Sequence, residues 1–207
     1  MVNSTKIVEI LNNVTDKIND KKLYLTELDA AIGDGDHGLN MSKGFSAVSE
    51  KIKCDTDKDI GNLLKKVGMT LVSTVGGASG PLYGTAFMKA SIYAKGKEEI
   101  SIEDFIEMMN IAIEGIKMRG KAKKGEKTML DSLIPAYEEG KKAIEDGKSP
   151  KEVLEVMKNA AYEGIEYTKT IIATKGRASY LGERSLGHQD AGATSSAVIL
   201  SAIYDSL

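Results

Sequence analysis

The chain has 207 residues, enough for one substantial core and within the usual single-domain range. Its 28 basic and 30 acidic residues leave a formal net charge of −2, which excludes the polycationic composition typical of a nucleic-acid-binding protein. Cys54 is the single cysteine, so neither an intramolecular disulfide nor a thiolate metal cluster can form within one chain.

At the N-terminus Ile7, Ile10, Leu11, Val14 and Ile18 follow the three-and-four spacing of an amphipathic helix with one buried stripe. No apolar core with a small-residue cleavage site precedes it, and no stretch reaches the roughly 18–20 apolar residues of a membrane span. The expectation is a soluble, cytoplasmic protein that engages no membrane and no nucleic acid. A short helix near 22–31 leads into "LDAAIGDGDHGLN" (28–40), where Asp29, Asp34, Asp36 and His37 fall among glycines. Helices are predicted near 38–52, 57–74 and 81–94, the last two separated by "VGGASGPLYG" (75–84).

Ile102, Phe105, Ile106, Met109, Ile113 and Ile116 repeat the helical stripe and are followed by "RGKAKKGEKT" (119–128). The next predicted helix, near 128–146, carries Pro135 in its second turn, where a kink costs less than at its centre. In "SPKEV", Ser149 suits the N-cap, Pro150 the first helical position and Glu152 the third, as a capping box requires. That helix would bury Val153, Leu154, Val156, Met157, Ala160, Ala161 and Ile165. The segment 175–196, "KGRASYLGERSLGHQDAGATSS", is too long for a simple connection, and loops of that length are usually functional or disordered. A final helix is predicted near 193–206. No long run of alternating β-branched residues competes, so the fold is expected to be all-α, with about eight helices in a single domain.

The glycine-rich connections carry the chemistry. If "LDAAIGDGDHGLN" begins at a helix end, Asp29 occupies its last turn, and Asp34 and Asp36, as alternate residues of an extended segment, share a face. Three converging carboxylates repel one another unless a cation neutralises them. Oxygen donors without cysteine suit Mg²⁺, which completes its octahedron with water and phosphate oxygens; the spacing is not that of a twelve-residue calcium loop. A merely solvated Asp/Gly turn explains less well why His37 and Asn40 stand beside the three aspartates.

"GGASGPLYGT", opening a helix at Pro81, offers backbone N–H groups to an anion, although it lacks the Lys-Ser/Thr of a Walker A loop and glycines that only permit close packing would read the same. In "GEKTMLD", Thr128 and Asp131 fit ordinary helix initiation, and Met129 suits either the core or an adenine contact. Arg177 and Arg184 could fork onto phosphate or remain a solvated pair beside Glu183. His188 suits a helix-end hydrogen bond, and His37 either that or catalysis.

Taken in order, "LDAAIGDGDHGLNMSKGF", "VGGASGPLYGT", "RGKAKKGEKTMLD" and "KGRASYLGERSLGHQDAGATS" resemble the signature segments of the nucleotide-binding L subunits of bacterial dihydroxyacetone kinases, along nearly the whole chain. The resemblance implies a barrel of eight antiparallel helices, holding ADP or ATP and two Mg²⁺ ions in loops at one rim, with residues 1–207 as a single L domain. By position it implies Asp29, Asp34 and Asp36 as magnesium ligands. It implies nucleotide contacts at His37, Gly38, Leu39, Asn40, Ala78, Ser79, Gly120, Met129, Arg177, Asp190, Ala191 and Gly192. It further implies a K subunit that holds dihydroxyacetone covalently and, because no substrate domain is attached, an M subunit of the phosphotransferase system that rephosphorylates ADP in place.

Overall fold

The stripe from Ile7 to Ile18 is buried on one face of α1 (Ser4–Asp20), which starts where the Asn3 side chain accepts the Lys6 amide. In this computed structural model, which describes residues 1–207, eight more helices follow: α2 (Lys22–Ile32), α3 (His37–Ile52), α4 (Ile60–Thr74), α5 (Ser79–Tyr93), α6 (Ile102–Gly120), α7 (Leu130–Glu145), α8 (Pro150–Lys169) and α9 (Ala191–Asp205). A 3-10 segment, Arg177–Ser185, lies between α8 and α9.

Caps set several of the boundaries. Ser149 and Glu152 form the predicted capping box, with Pro150 inside it. Ser101 and Asp104 form a second one at α6. α4 starts at Ile60 rather than 57 because Asp59 accepts the Asn62 amide. α5 starts at Ser79, so Pro81 falls in the first turn, where its missing N–H breaks no helical hydrogen bond. α7 continues through Pro135 to Glu145.

Each of α3 to α9 packs on its neighbour in the chain, and α1 packs on both α3 and α9, closing a ring of eight helices; α2 lies across α3, α9 and the 3-10 segment as a ninth. The all-α reading holds, with α2 added to the eight-helix barrel. A feature absent from the sequence reading is a short antiparallel ribbon, β1 (Val2–Asn3) on β2 (Glu99–Ile100), pairing Val2 with Ile100.

Successive helices of such a ring run in alternating directions, so its connections fall alternately on two rims. One rim receives the α2–α3, α4–α5, α6–α7 and α8–α9 connections, which are the four glycine-rich segments. The other receives the α3–α4, α5–α6 and α7–α8 connections. Phe45, Ile18, Met41, Ile52, Ile60 and Leu71 are among the fully buried side chains of the wall. An apolar cavity of about 530 Å³ lies inside, lined by residues such as Leu11, Phe87, Phe105 and Ile199, with Tyr83, Met129 and Ser196 at its end nearest the glycine-rich rim.

Candidate functional site

Asp29 lies in the last turn of α2, and its Oδ2 accepts the backbone N–H groups of Asp36 at 2.9 Å and His37 at 3.2 Å. This pulls the start of α3 back against the end of α2. Gly35 makes the reversal at φ +72°, a conformation that costs an L side chain steric energy. As a result one carboxylate oxygen from each of Asp29, Asp34 and Asp36 lies within 4.8 Å of the others. Arg177 reaches this cluster, its Nε 2.8 Å from Asp34 Oδ2. With side chains 69% and 38% exposed, that pair is solvent-screened and contributes little to stability. A cluster of hard carboxylate oxygens with one exposed guanidinium beside it fits the donor chemistry of Mg²⁺.

His37 is the first residue of α3 and is buried. Its Nδ1 lies 3.0 Å from Ser79 Oγ at the start of α5, and its Nε2 lies 2.8 Å from Ser195 Oγ in α9. Burial pushes its pKa below the ordinary 6.5 against the pull of Asp29 and Asp36, so the neutral ring donates through one nitrogen and accepts through the other. Tyr83 closes the chain, with its hydroxyl 2.7 Å from Ser195 Oγ, 2.8 Å from Ser196 Oγ and donating to Gly192 O at 3.2 Å. Burial holds that phenol at about 12, so it remains a donor. The first turns of α3, α5 and α9 are thereby tied together. Gly192 also lies against Met129, where α7 begins. Four helix N-termini, each with the positive end of its dipole, therefore gather at the rim that holds the carboxylates. The arrangement suits a polyanion bridged to a cation.

The remaining expected residues sort by position. Gly38 is buried, and Leu39 is 51% exposed on the first turn of α3. The Asn40 side-chain amide packs against Gly76 of the α4–α5 loop. Ala78 and Ser79 stand at the start of α5, and Gly120 ends α6 beside Leu82. Asp190 is the N-cap of α9, accepting the Ala193 amide at 2.6 Å, with Ala191 and Gly192 in the first turn. The Met129 side chain belongs to the hydrophobic core, with the residue 4% exposed. The expected helix-end role for His188 needs correction: its ring is exposed and forms no hydrogen bond, and only its backbone carbonyl is engaged. Arg184 is exposed without an ion pair. The sequence reading missed Tyr83, Ser195 and Lys127, whose importance lies in burial and in partners far along the chain.

Burial raises the Asp190 carboxyl from its ordinary 3.8 to about 7, with Asp131 adding to the rise and the Ala193 amide and Lys127 opposing it. A carboxyl that holds its proton more tightly when folded loses stability as pH rises from about 4 to about 7, because the unfolded chain ionises first. Asn also caps helices well. Asp190→Asn should therefore gain melting temperature relative to the parent across that range, by about 2–4 °C for each kcal/mol relieved, and hold the gain above pH 7. Melts without Mg²⁺ or nucleotide measure this; a difference independent of pH would refute it.

A family model described as the DAK2 domain matches residues 31–205. The ADP-binding subunit of the PEP-dependent dihydroxyacetone kinase of Escherichia coli K12 is 47% identical over 191 residues, 92% of this chain and 91% of that one. The ADP-binding subunit of the PTS-dependent enzyme of Lactococcus lactis is 40% identical over 198 residues, 96% of this chain and 95% of that one. The crystal structure of the dihydroxyacetone kinase from C. freundii in complex with AMP-PNP and Mg²⁺ superposes with a TM-score of 0.75 at 25% identity, covering 97% of this chain and 33% of that one. The chain thus spans about a third of the solved kinase and nearly the full length of the two subunits. No helix is long and apolar enough to cross a membrane.

Proposed function

The chain belongs to the DAK2 domain family, and we propose that it is the ADP-binding subunit of a phosphoenolpyruvate-driven dihydroxyacetone kinase, with residues 1–207 forming the nucleotide domain. The observation that carries this reading is the placement of the Asp29, Asp34 and Asp36 carboxylates on the rim where the N-termini of α3, α5, α7 and α9 gather. Likeness to two ADP-binding subunits over more than nine-tenths of the chain supports it independently.

The three aspartates would hold Mg²⁺, two ions in this reading, and the metal when bound supplies charge neutralisation between the carboxylates and the nucleotide's phosphates. The chain's own part is binding and orientation. Backbone N–H groups of Gly38 and Leu39 in the first turn of α3, between His37 and Asn40, and of Ala78 and Ser79 at the start of α5 would donate to phosphate oxygens. Arg177 would exchange Asp34 for a phosphate oxygen, which a planar guanidinium can engage in a bidentate way. Gly120, Met129 and the turn Asp190–Gly192 would border the rest of the nucleotide. Phosphoryl transfer is chiefly positioning and electrostatic work, and no covalent phosphoprotein intermediate on this chain is required. The acceptor, dihydroxyacetone, would be presented by a K subunit, and an M subunit of the phosphotransferase system would recharge ADP without its release, inside the cytoplasm.

The nucleotide content of the purified chain tests this directly. Protein prepared with Mg²⁺, desalted exhaustively and denatured should release near-stoichiometric ADP. Free exchange of ATP on an empty protein would favour a nucleotide subunit of an ATP-dependent kinase, and binding of neither nucleotide would overturn the assignment.

A further inference from the structure

Lys127 sits in a glycine-containing loop at the proposed nucleotide rim, the setting in which a lysine would be read from sequence as a phosphate ligand. Its geometry rules that role out. The residue is 1% exposed, and its Nζ donates to the carbonyls of Thr168 and His188 at 2.5 Å each and of Ile171 at 3.4 Å. An ammonium has three protons, and all three are taken by backbone oxygens of this chain. It forms no salt bridge; Asp131 and Asp190 supply negative field from a distance and oppose the desolvation that lowers its pKa.

Two costs mark the position. A buried ammonium without an ion-pair partner is expensive, and the Lys127 backbone lies at φ +60°, unfavourable for a residue with a Cβ. Such paired costs persist only where surrounding structure over-determines them, and they concentrate at functional sites. The three carbonyls show what is obtained in return. Thr168 and Ile171 flank the C-terminus of α8, where a cation also meets the negative end of the helix dipole. His188 lies two residues before the N-cap of α9. Between them runs the segment carrying Arg177, joined at its base by Gly187 N to Lys169 O and to the Lys127 loop by Thr174 N to Glu126 O.

We propose that Lys127 is a positioning residue for the nucleotide: by gripping the end of α8 and the entry to α9 it fixes the Arg177 segment and the Asp190 turn against Met129. This sets how long a bound nucleotide is retained. The inference rests on the nucleotide reading above and adds to it a residue that touches no ligand.

The test is the release of a fluorescent ADP analogue from the full chain with Mg²⁺, chased with excess ADP, for the parent, Lys127→Met and Lys127→Arg. Lys127→Met removes the charge and keeps most of the stem; it should retain parental helicity and release the analogue at least about tenfold faster, the equivalent of one lost hydrogen bond from a charged donor. Lys127→Arg, which keeps charge and donors, should recover part of the difference, whereas a purely space-filling role would favour Met over Arg. Hydrogen exchange should accelerate over residues 170–189 and not in α3 or α4. Parental release from a folded Lys127→Met would overturn the proposal while leaving the nucleotide reading standing; a parent that binds no analogue would overturn both. Should Lys127→Met fail to fold, the unsubstituted chain decides. A slowly exchanging lysine ¹⁵Nζ resonance that shifts when ADP and Mg²⁺ are added supports the role, and absence of any such shift refutes it.

Discussion

Asp34→Asn and Asp36→Asn are each expected to lower phosphoryl transfer by about a thousandfold, the size of effect that losing several kcal/mol of metal-based charge stabilisation produces. The helical fold should survive. Asp34 is exposed and its only polar partner is the exposed Arg177, while the Asp36 side chain donates and accepts nothing within the chain. Removing either charge relieves repulsion within the Asp29, Asp34 and Asp36 cluster, so the melting temperature without Mg²⁺ should hold or rise slightly. Transfer measured with the partner subunits and dihydroxyacetone, together with Mn²⁺ binding followed by electron paramagnetic resonance, separates metal loss from unfolding. Parental activity and parental Mn²⁺ affinity in both variants would sink the metal assignment.

Gly38→Ala is expected to damage fold and site together. On propensity alone the substitution should help, because glycine inside a helix costs roughly 0.5–1 kcal/mol relative to alanine. Packing reverses the sign. A Cβ on Gly38 would stand 2.0 Å from the Lys22 carbonyl oxygen and 2.7 Å from the Thr26 amide nitrogen, backbone atoms that cannot rotate aside. α3 would have to part from α2, an overpacking cost of about 3 kcal/mol, or a fall of roughly 6–12 °C in melting temperature at this chain length. The same displacement would carry His37 away from Ser79 and Ser195 and Asp36 away from Asp29, so nucleotide affinity should fall with it. Calorimetry of thermal unfolding and of ADP binding on one preparation checks both; a variant that melts and binds like the parent would show that the α2–α3 approach tolerates a methyl group.

Gly38 illustrates how much of the site was legible in the chain itself. Its resemblance-based role is nucleotide contact, yet what demands glycine there in the structure is a carbonyl sixteen residues earlier. The helices were more readable. α8 announces itself through Ser149, Pro150 and Glu152 and a continuous apolar stripe, all within one local window. The Ser101–Asp104 box is equally local and lies just ahead of the apolar repeat that begins at Ile102. The β1–β2 ribbon escaped because two residues per strand carry no alternation to detect.

By itself the sequence determined the helical content, the placing of glycine in four connections, and the gathering of three carboxylates within eight residues. Each follows from spacing over one to three turns, where backbone geometry converts residue order directly into a face or a cap. Only the tertiary structure decided that the four connections share a rim, because that depends on the ring closing through α1 against α3 and α9. It also decided that His37 meets Ser79 and Ser195, 42 and 158 residues away, and that Lys127 is sealed beneath the site rather than offered to a ligand. Burial and long-range hydrogen bonds leave no periodic trace in residue order; they exist only once apolar packing has brought the helices together.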